Sequence, residues 1–340
     1  MRFRVCLSYC ILAAVIALIT VPAHATFPGK NGRIAFVQGP DIYTMNQDGS
    51  NVRQLTALTD GGAFWVNWSP DGKQIVFSRF AAPDFFGQLW LMNADGGNQH
   101  LLLTDPGFDD EAASFSPDGS HLIFSRCAPL DGEFPCAIYR VGLDGSGISQ
   151  VTPVRIELTD LEPVYSPDGS TIAFDSFGRD GILGAVHLMN SDGTNIRQLT
   201  LAQLGGYGSD WSPDGEQLVF TTKCCNPELA NIAVIRRDGK QVRQVTDDKG
   251  VFGAGRSSWS PQGDAIVFRT TNVTTGEGGI YVSNADGSNA KLILKVRPST
   301  VPNNALKILK KSHFLKNKHE LPASTQIEDG GALPRWGTAQ

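Results

Sequence analysis

Three observations predict an all-β fold: five recurrences of an aromatic-Ser-Pro-(Asp/Gln)-Gly segment, four strand-length runs in each interval, and two incomplete ends that complement one another. The arrangement they predict is a six-bladed β-propeller with four antiparallel strands per blade. The recurring segments are Trp68-Ser69-Pro70-Asp71-Gly72, Phe115-Ser116-Pro117-Asp118-Gly119, Tyr165-Ser166-Pro167-Asp168-Gly169, Trp211-Ser212-Pro213-Asp214-Gly215 and Trp259-Ser260-Pro261-Gln262-Gly263. Each precedes an apolar run ending in Phe77, Phe124, Phe174, Phe220 or Phe268. A period of about 46–50 residues marks a repeat architecture.

In chain order, residues 2–25 read as a secretory signal: Arg2 and Arg4, the apolar run Val5–Val21, and a small-x-small site at Ala23-His24-Ala25. Leu7-Ser8-Tyr9-Cys10 does not make a lipidation site, because Tyr9 is too large ahead of the cysteine and the apolar run continues past it. The mature chain is therefore expected to start near Thr26, periplasmic or secreted, with no stable membrane anchor. Residues 27–56 hold only three runs, Gly32–Gln38, Asp41–Asn46 and Val52–Thr56, which match strands two to four of a blade. Leu333-Pro334-Arg335-Trp336-Gly337 matches the missing first strand. The termini are thus expected to share one composite blade, 27–56 plus 333–337, which leaves no open edge. Complete blades start at 65, 112, 162, 208 and 256 within a single domain, 26–340.

Within the second blade the runs are Val66–Ser69, Gln74–Ser78, Gln88–Asn93 and Gln99–Thr104, rich in β-branched and aromatic residues and bounded by turn formers. In the first turn Ser accepts a local backbone hydrogen bond, Pro presets φ, and Gly supplies the positive φ that closes the hairpin. A second turn, Asn93-Ala94-Asp95-Gly96, recurs at Asn46–Gly49, Asn190–Gly193 and Asn284–Gly287, and more loosely at Gly142–Gly145 and Arg236–Gly239. Runs such as Ile75-Val76-Phe77 are apolar on both faces, so each blade must be covered on both sides. Burying each recurring aromatic stabilises the disc by roughly 1.5–3 kcal/mol.

These motifs, with a final Leu-Thr at Leu55-Thr56, Leu103-Thr104 and Leu199-Thr200, resemble the TolB-like β-propeller repeat over residues 27–337. The resemblance implies the fold and leans towards a bacterial envelope protein. TolB carries an α/β domain ahead of its propeller and associates with the Pal lipoprotein. Here the first strand begins a few residues past the expected cleavage site, so the resemblance covers the propeller alone, and the Pal role is not carried over.

Function is less legible. A net charge of −5 argues against nucleic acid as a partner. Export permits disulfides, and four cysteines remain after cleavage. Cys127 and Cys136 flank one loop and suit a local disulfide. Cys224 and Cys225 could pair with each other, stay reduced, or pair with the first two. The Asn-x-Asp-Gly segments open like calcium loops, but loop position 12 holds Ala57, Thr104, Leu201 or Lys295 instead of Glu, so they read as turns. No cofactor is expected; the resemblance allows a calcium ion in the channel, without a visible ligand set. There is no Gly-x-Ser-x-Gly elbow, His-Glu-x-x-His or phosphate loop, and His100, His121 and His187 fall at unrelated places in their repeats.

The near-invariant turns belong on one face of the disc, and the variable loops on the other, where function is expected. The candidate mouth comprises Trp65, Glu111, Glu162, Tyr207 and Arg256 in the linkers just before the first strands, with Asp109, Asp110 and Asp160 nearby. Two readings compete. One is a solvated acidic rim, since exposed carboxylates are common. The other is a binding mouth for a cation or a basic partner segment. A basic insertion, 295–328, reads as a solvated loop or a partner- or membrane-surface helix. The expected function is a monomeric binding or scaffolding module for a protein, peptide or envelope glycan. The alternative is an extracytoplasmic glycan- or peptide-directed enzyme.

Overall fold

The structure, a computed structural model, describes residues 27–82, 86–179, 184–201, 203–222, 230–247, 252–272, 277–296 and 334–339. The signal segment, Cys224, Cys225 and residues 297–328 of the basic insertion lie outside the described residues.

The chain begins with β1 (Asn31–Gln38), β2 (Asp41–Met45) and β3 (Arg53–Gln54). Four-stranded antiparallel meanders follow. The second sheet has β4 (Gly61–Trp68), β5 (Gln74–Ala81), β6 (Gly87–Asn93) and β7 (His100–Leu103). The third has β8 (Asp109–Phe115), β9 (His121–Cys127), β10 (Cys136–Gly142) and β11 (Ser149–Gln150). The fourth has β12 (Thr159–Tyr165), β13 (Thr171–Phe177), β14 (Ala185–Asn190) and β15 (Arg197–Gln198). The fifth has β16 (Tyr207–Trp211), β17 (Gln217–Thr221), β18 (Ile232–Arg236) and β19 (Arg243–Gln244). The sixth has β20 (Phe252–Trp259), β21 (Ala265–Asn272), β22 (Gly278–Asn284) and β23 (Lys291–Val296). Finally β24 (Arg335–Thr338) pairs antiparallel with β1, Ile34 opposite Trp336, in a sheet of order β24-β1-β2-β3. One parallel pair, Cys136 opposite Thr159, joins the third and fourth meanders. First strands touch in sequence, β4 to β8, β12, β16, β20 and β24, and β24 touches β4.

The recurring Phe of each second strand, together with Phe36 in β1, is fully buried. The core is not inside any sheet but between sheets. Ile42 and Leu55 of the first sheet pack with Trp68 and Phe77 of the second, and Val267 and Ile280 of the sixth with Phe36 and Trp336 of the first. The two-faced covering expected from the apolar runs is present.

Both turn types behave as the residues dictate. Ser69 Oγ accepts from Gln74 N–H at 2.9 Å, and Gly72 takes φ +69°. In the fifth copy, where Gln262 replaces Asp, Asp264 supplies the acceptor: Ser260 Oγ–H donates to its Oδ1 at 2.7 Å, and Asn31 Nδ2 donates to the same oxygen at 3.1 Å. The glycines also explain close approach between sheets. A Cβ on Gly96 would meet Leu55 O at 2.8 Å, on Gly193 Val151 O at 2.5 Å, and on Gly287 Val245 O at 2.9 Å. The outer strand expected at Val52–Thr56 shrinks to Arg53–Gln54. There Thr56 Oγ1 takes the place of a ladder partner, accepting Ile42 N–H at 2.9 Å. Thr152, Thr200 and Thr246 repeat that contact with Ile138, Val186 and Ile232.

Candidate functional site where the first strands converge

The first strands reach farther than their sequence suggests. Trp65 lies within β4, Asp109, Asp110 and Glu111 within β8, Asp160 and Glu162 within β12, Tyr207 within β16 and Arg256 within β20. Their expected placement in linkers is corrected, and a bulge is the cause. Register slips between Phe64 and Asn67, Glu111 and Ser114, Leu161 and Val164, Tyr207 and Asp210, and Gly255 and Ser257. At each slip one residue turns left-handed: Trp65 at φ +46°, Ala112 at +54°, Glu162 at +52°, Gly208 at +63° and Arg256 at +44°. An inserted residue resets the two-residue alternation, so extrapolating the pattern fails.

Side chains from the preceding sheet hold these strained positions. The N–H groups of Ala112, Glu162, Gly208 and Arg256 donate to Ser78 Oγ, Ser125 Oγ, Asp175 Oδ2 and Thr221 Oγ1 at 3.1, 2.9, 2.7 and 3.2 Å. Each acceptor directly follows a recurring Phe.

Three long side chains from alternate sheets meet at this level. Glu162 is ion-paired with Arg256, Trp65 Nε1 donates to Glu162 Oε1 at 3.3 Å, and the Arg256 guanidinium lies 6.0 Å from the Trp65 ring centroid. Small residues, Ala112 and Gly208, occupy the positions between them. A Cβ on Gly208 would already stand 3.6 Å from Arg256 Cδ. Burial, then repulsion from Arg335, lowers the Arg256 pKa to about 9. Tyr207 stands one residue ahead of Gly208, opposite Thr221.

The carboxylates are not a solvated rim. Asp110 and Asp160 are 0 % exposed, Glu111 6 % and Asp109 9 %. An unpaired charge so placed is expensive, and two of the four carry their own cation. Arg126 grips Asp110 through two bonds of 2.6 and 2.8 Å, and Arg179 grips Asp160 at 2.8 and 3.1 Å. Asp109 Oδ1 accepts Gly87 N–H at 2.7 Å; burial above all, with Asp110 adding repulsion, pushes its pKa up to about 6. Glu111 makes no side-chain hydrogen bond to a described residue. Burial, then Asp109, drives its pKa well above the usual carboxylate range, with Arg256 opposing.

Sequence reasoning missed Arg126, Arg179, Asp175, Asp210 and Arg335. Asp175 Oδ1 is buried with no hydrogen-bond partner among the described residues, and burial pushes the Asp175 pKa to about 8. Asp210 lies 3.6 Å from Arg335 and accepts Trp259 N–H at 3.2 Å. Asn67 donates to Ala113 O at 2.8 Å and Ser114 to Pro163 O at 2.7 Å, linking first strands that share no ladder. Cys127 and Cys136, opposite each other in β9 and β10, form the expected disulfide, S–S 1.93 Å. Among the described residues no three His, Cys, Asp or Glu side chains group as a metal ion needs.

Repeated four-stranded meanders, packed face to face around converging first strands, define a β-propeller of the repeat class. The chain matches the TolB beta propeller domain over residues 130–301 and belongs to that family. It is 32% identical over 118 residues to a TolB homolog of Chlorobium luteolum, covering 34% of this chain and 24% of that protein. The chain spans between a tenth and a quarter of the length of the curated relatives it matches. TolB from Acinetobacter baumannii superposes with a TM-score of 0.66 at 19% identity, covering 91% of this chain and 67% of TolB. An oligogalacturonate lyase from Vibrio parahaemolyticus superposes at 0.53 with 16% identity, covering 81% of this chain and 78% of the lyase. At such identities the structural likeness speaks for the fold alone.

Proposed function

We propose that the protein is a six-bladed, closed TolB-like propeller, exported to the periplasm or the exterior, that works as a monomeric binding or scaffolding module. Its variable-loop face would engage a protein, a peptide or an envelope glycan. The observation that carries this reading is the state of the ionisable groups at the mouth. Asp110, Asp160 and Glu162 are neutralised from within, while Glu111 is buried with no side-chain hydrogen bond to a described residue. A fixed carboxyl against a bridged floor suits recognition of a ligand's polar group.

The test compares the mature chain with a Glu111→Gln variant in capture from envelope extract. One partner retained by the first and lost by the second, with equal urea midpoints, supports the reading. Equal retention by both removes the mouth as the site. The fold shared with oligogalacturonate lyases motivates the alternative, an extracytoplasmic lyase or hydrolase. Release of unsaturated product from polyuronate would establish it.

A further inference from the structure

On the turn side, each pair of adjacent sheets frames a groove between the first turn of one sheet and the second turn of the next. Its floor is the next sheet's recurring aromatic. Several of these grooves are filled from within. His121 stands edge-on to Tyr165, its Nε2 3.1 Å from the hydroxyl, and Leu143 packs into the cluster that holds Phe115. Over Trp211 lies Arg237, its guanidinium 5.7 Å from the ring centroid. It reaches Thr171 Oγ1 at 3.4 Å and Gly215 O at 3.5 Å.

The groove between the fifth and sixth sheets lacks such a filler. Its floor is Trp259, and Ala285 stands where Arg237 stands next door. The frame is otherwise the same: Arg243 donates to Ala285 O at 2.8 Å, as Arg197 donates to Arg237 O at 2.6 Å. What differs is a missing side chain. A cavity of about 340 Å³ opens there, lined by Asp214, Gln217, Arg243, Trp259, Ala285 and Asp286 among others. Trp259 is 3 % exposed, and its Nε1 has no hydrogen-bond partner among the described residues.

We propose that this groove receives an arginine side chain from a basic segment of a protein partner. Arg237 shows that the frame accepts a guanidinium stacked on the floor aromatic, an arrangement favoured by the charge of the ring face. Gln217 offers an amide oxygen where Thr171 offers a hydroxyl. Asp214 and Asp286 flank the opening with negative charge, and Ser288 hydrogen bonds keep Asp286 ionised. Asp71, Asp118, Asp168 and Asp238 extend the acidity along the same turn face, which draws a basic partner in. Arg243 opposes the incoming charge only as Arg197 does next door, where Arg237 is nonetheless seated.

The inference concerns the face opposite the mouth and is independent of it. The probe is a capped Gly/Ser peptide with one arginine, beside its citrulline counterpart, followed through the indole N–H resonances of the ¹⁵N-labelled mature chain. The arginine peptide should shift the Trp259 resonance saturably, and citrulline should bind at least tenfold more weakly. Ala285→Arg should abolish the response by filling the groove from within. Arg237→Ala should open a second site, reported by Trp211. Glu111→Gln should leave all of this unchanged. Equal binding of citrulline, persistence in Ala285→Arg, or no response of Trp259 at millimolar peptide would each overturn the proposal.

Discussion

Asp175 offers the sharpest test of how this interior is held. It is 1 % exposed, one oxygen accepts the Gly208 N–H, and the other has no hydrogen-bond partner among the described residues. Its pKa is raised from 3.8 to about 8. A carboxyl raised in the folded state contributes stability that is fully present below its unfolded pKa and is lost as pH rises through the folded one. At about 1.36 kcal/mol per pH unit between those limits, the native state loses about 1.7 kcal/mol by pH 5 and about 5.5 kcal/mol by pH 8.5. Asp175→Asn keeps an oxygen for Gly208 and removes the titration, and Arg335 retains Asp210. The variant's stability relative to the parent should therefore rise by about 4 kcal/mol between pH 5 and pH 8.5. Urea unfolding at the two pH values, with unchanged slopes, reads this directly. A stability difference that stays constant across that interval would refute the reasoning.

Other consequences are equally direct. Removing the cross-strand disulfide by Cys127→Ser with Cys136→Ser should cost about 2.6 kcal/mol, the loop-closure value for a sequence separation of 9, and reductant should shift the parent's thermal midpoint alike. Arg126→Met, which strands Asp110, should cost about 3–5 kcal/mol in urea unfolding. A cycle pairing Glu162→Gln with Arg256→Met should show coupling of about 0.5–3 kcal/mol, since the two side chains form one contact. Gly193→Ala combines a φ of +87° with a Cβ 2.5 Å from Val151 O. It should destabilise by about 1–3 kcal/mol, measured calorimetrically, whereas Gly132→Ala, with φ +85° and open space, should cost less.

The turns, the recurring Phe residues and the sharing of one sheet by both chain ends were all legible, because each repeats the same residues at the same structural place. The converging site was not. Trp65, Ala112, Glu162, Gly208 and Arg256 each stand three residues before the recurring aromatic, so the repeat aligns them, but they share no chemistry and nothing in their side chains marks a left-handed bulge. What repeats instead is a small polar residue after the Phe, at Ser78, Ser125, Asp175 and Thr221, and that was the available signal. Arg126 and Arg179 neutralise equivalent aspartates from positions two and five residues past Phe124 and Phe174. Reach, not register, puts their guanidinium groups in place. The expectation of a solvated acidic rim failed for that reason: carboxylates were visible in the sequence, their cations were not.

The pairing of β24 with β1 also carries a consequence for synthesis. Until Arg335–Thr338 emerge, a growing chain presents Ile34, Ala35, Phe36 and Val37 along an edge with no neighbour. Among the described strands β1 has only β24 and β2 as ladder partners, so one side of it stays unpaired until Arg335–Thr338 are made. A product cut before Arg335 would keep that edge open, ready to recruit a strand from another molecule.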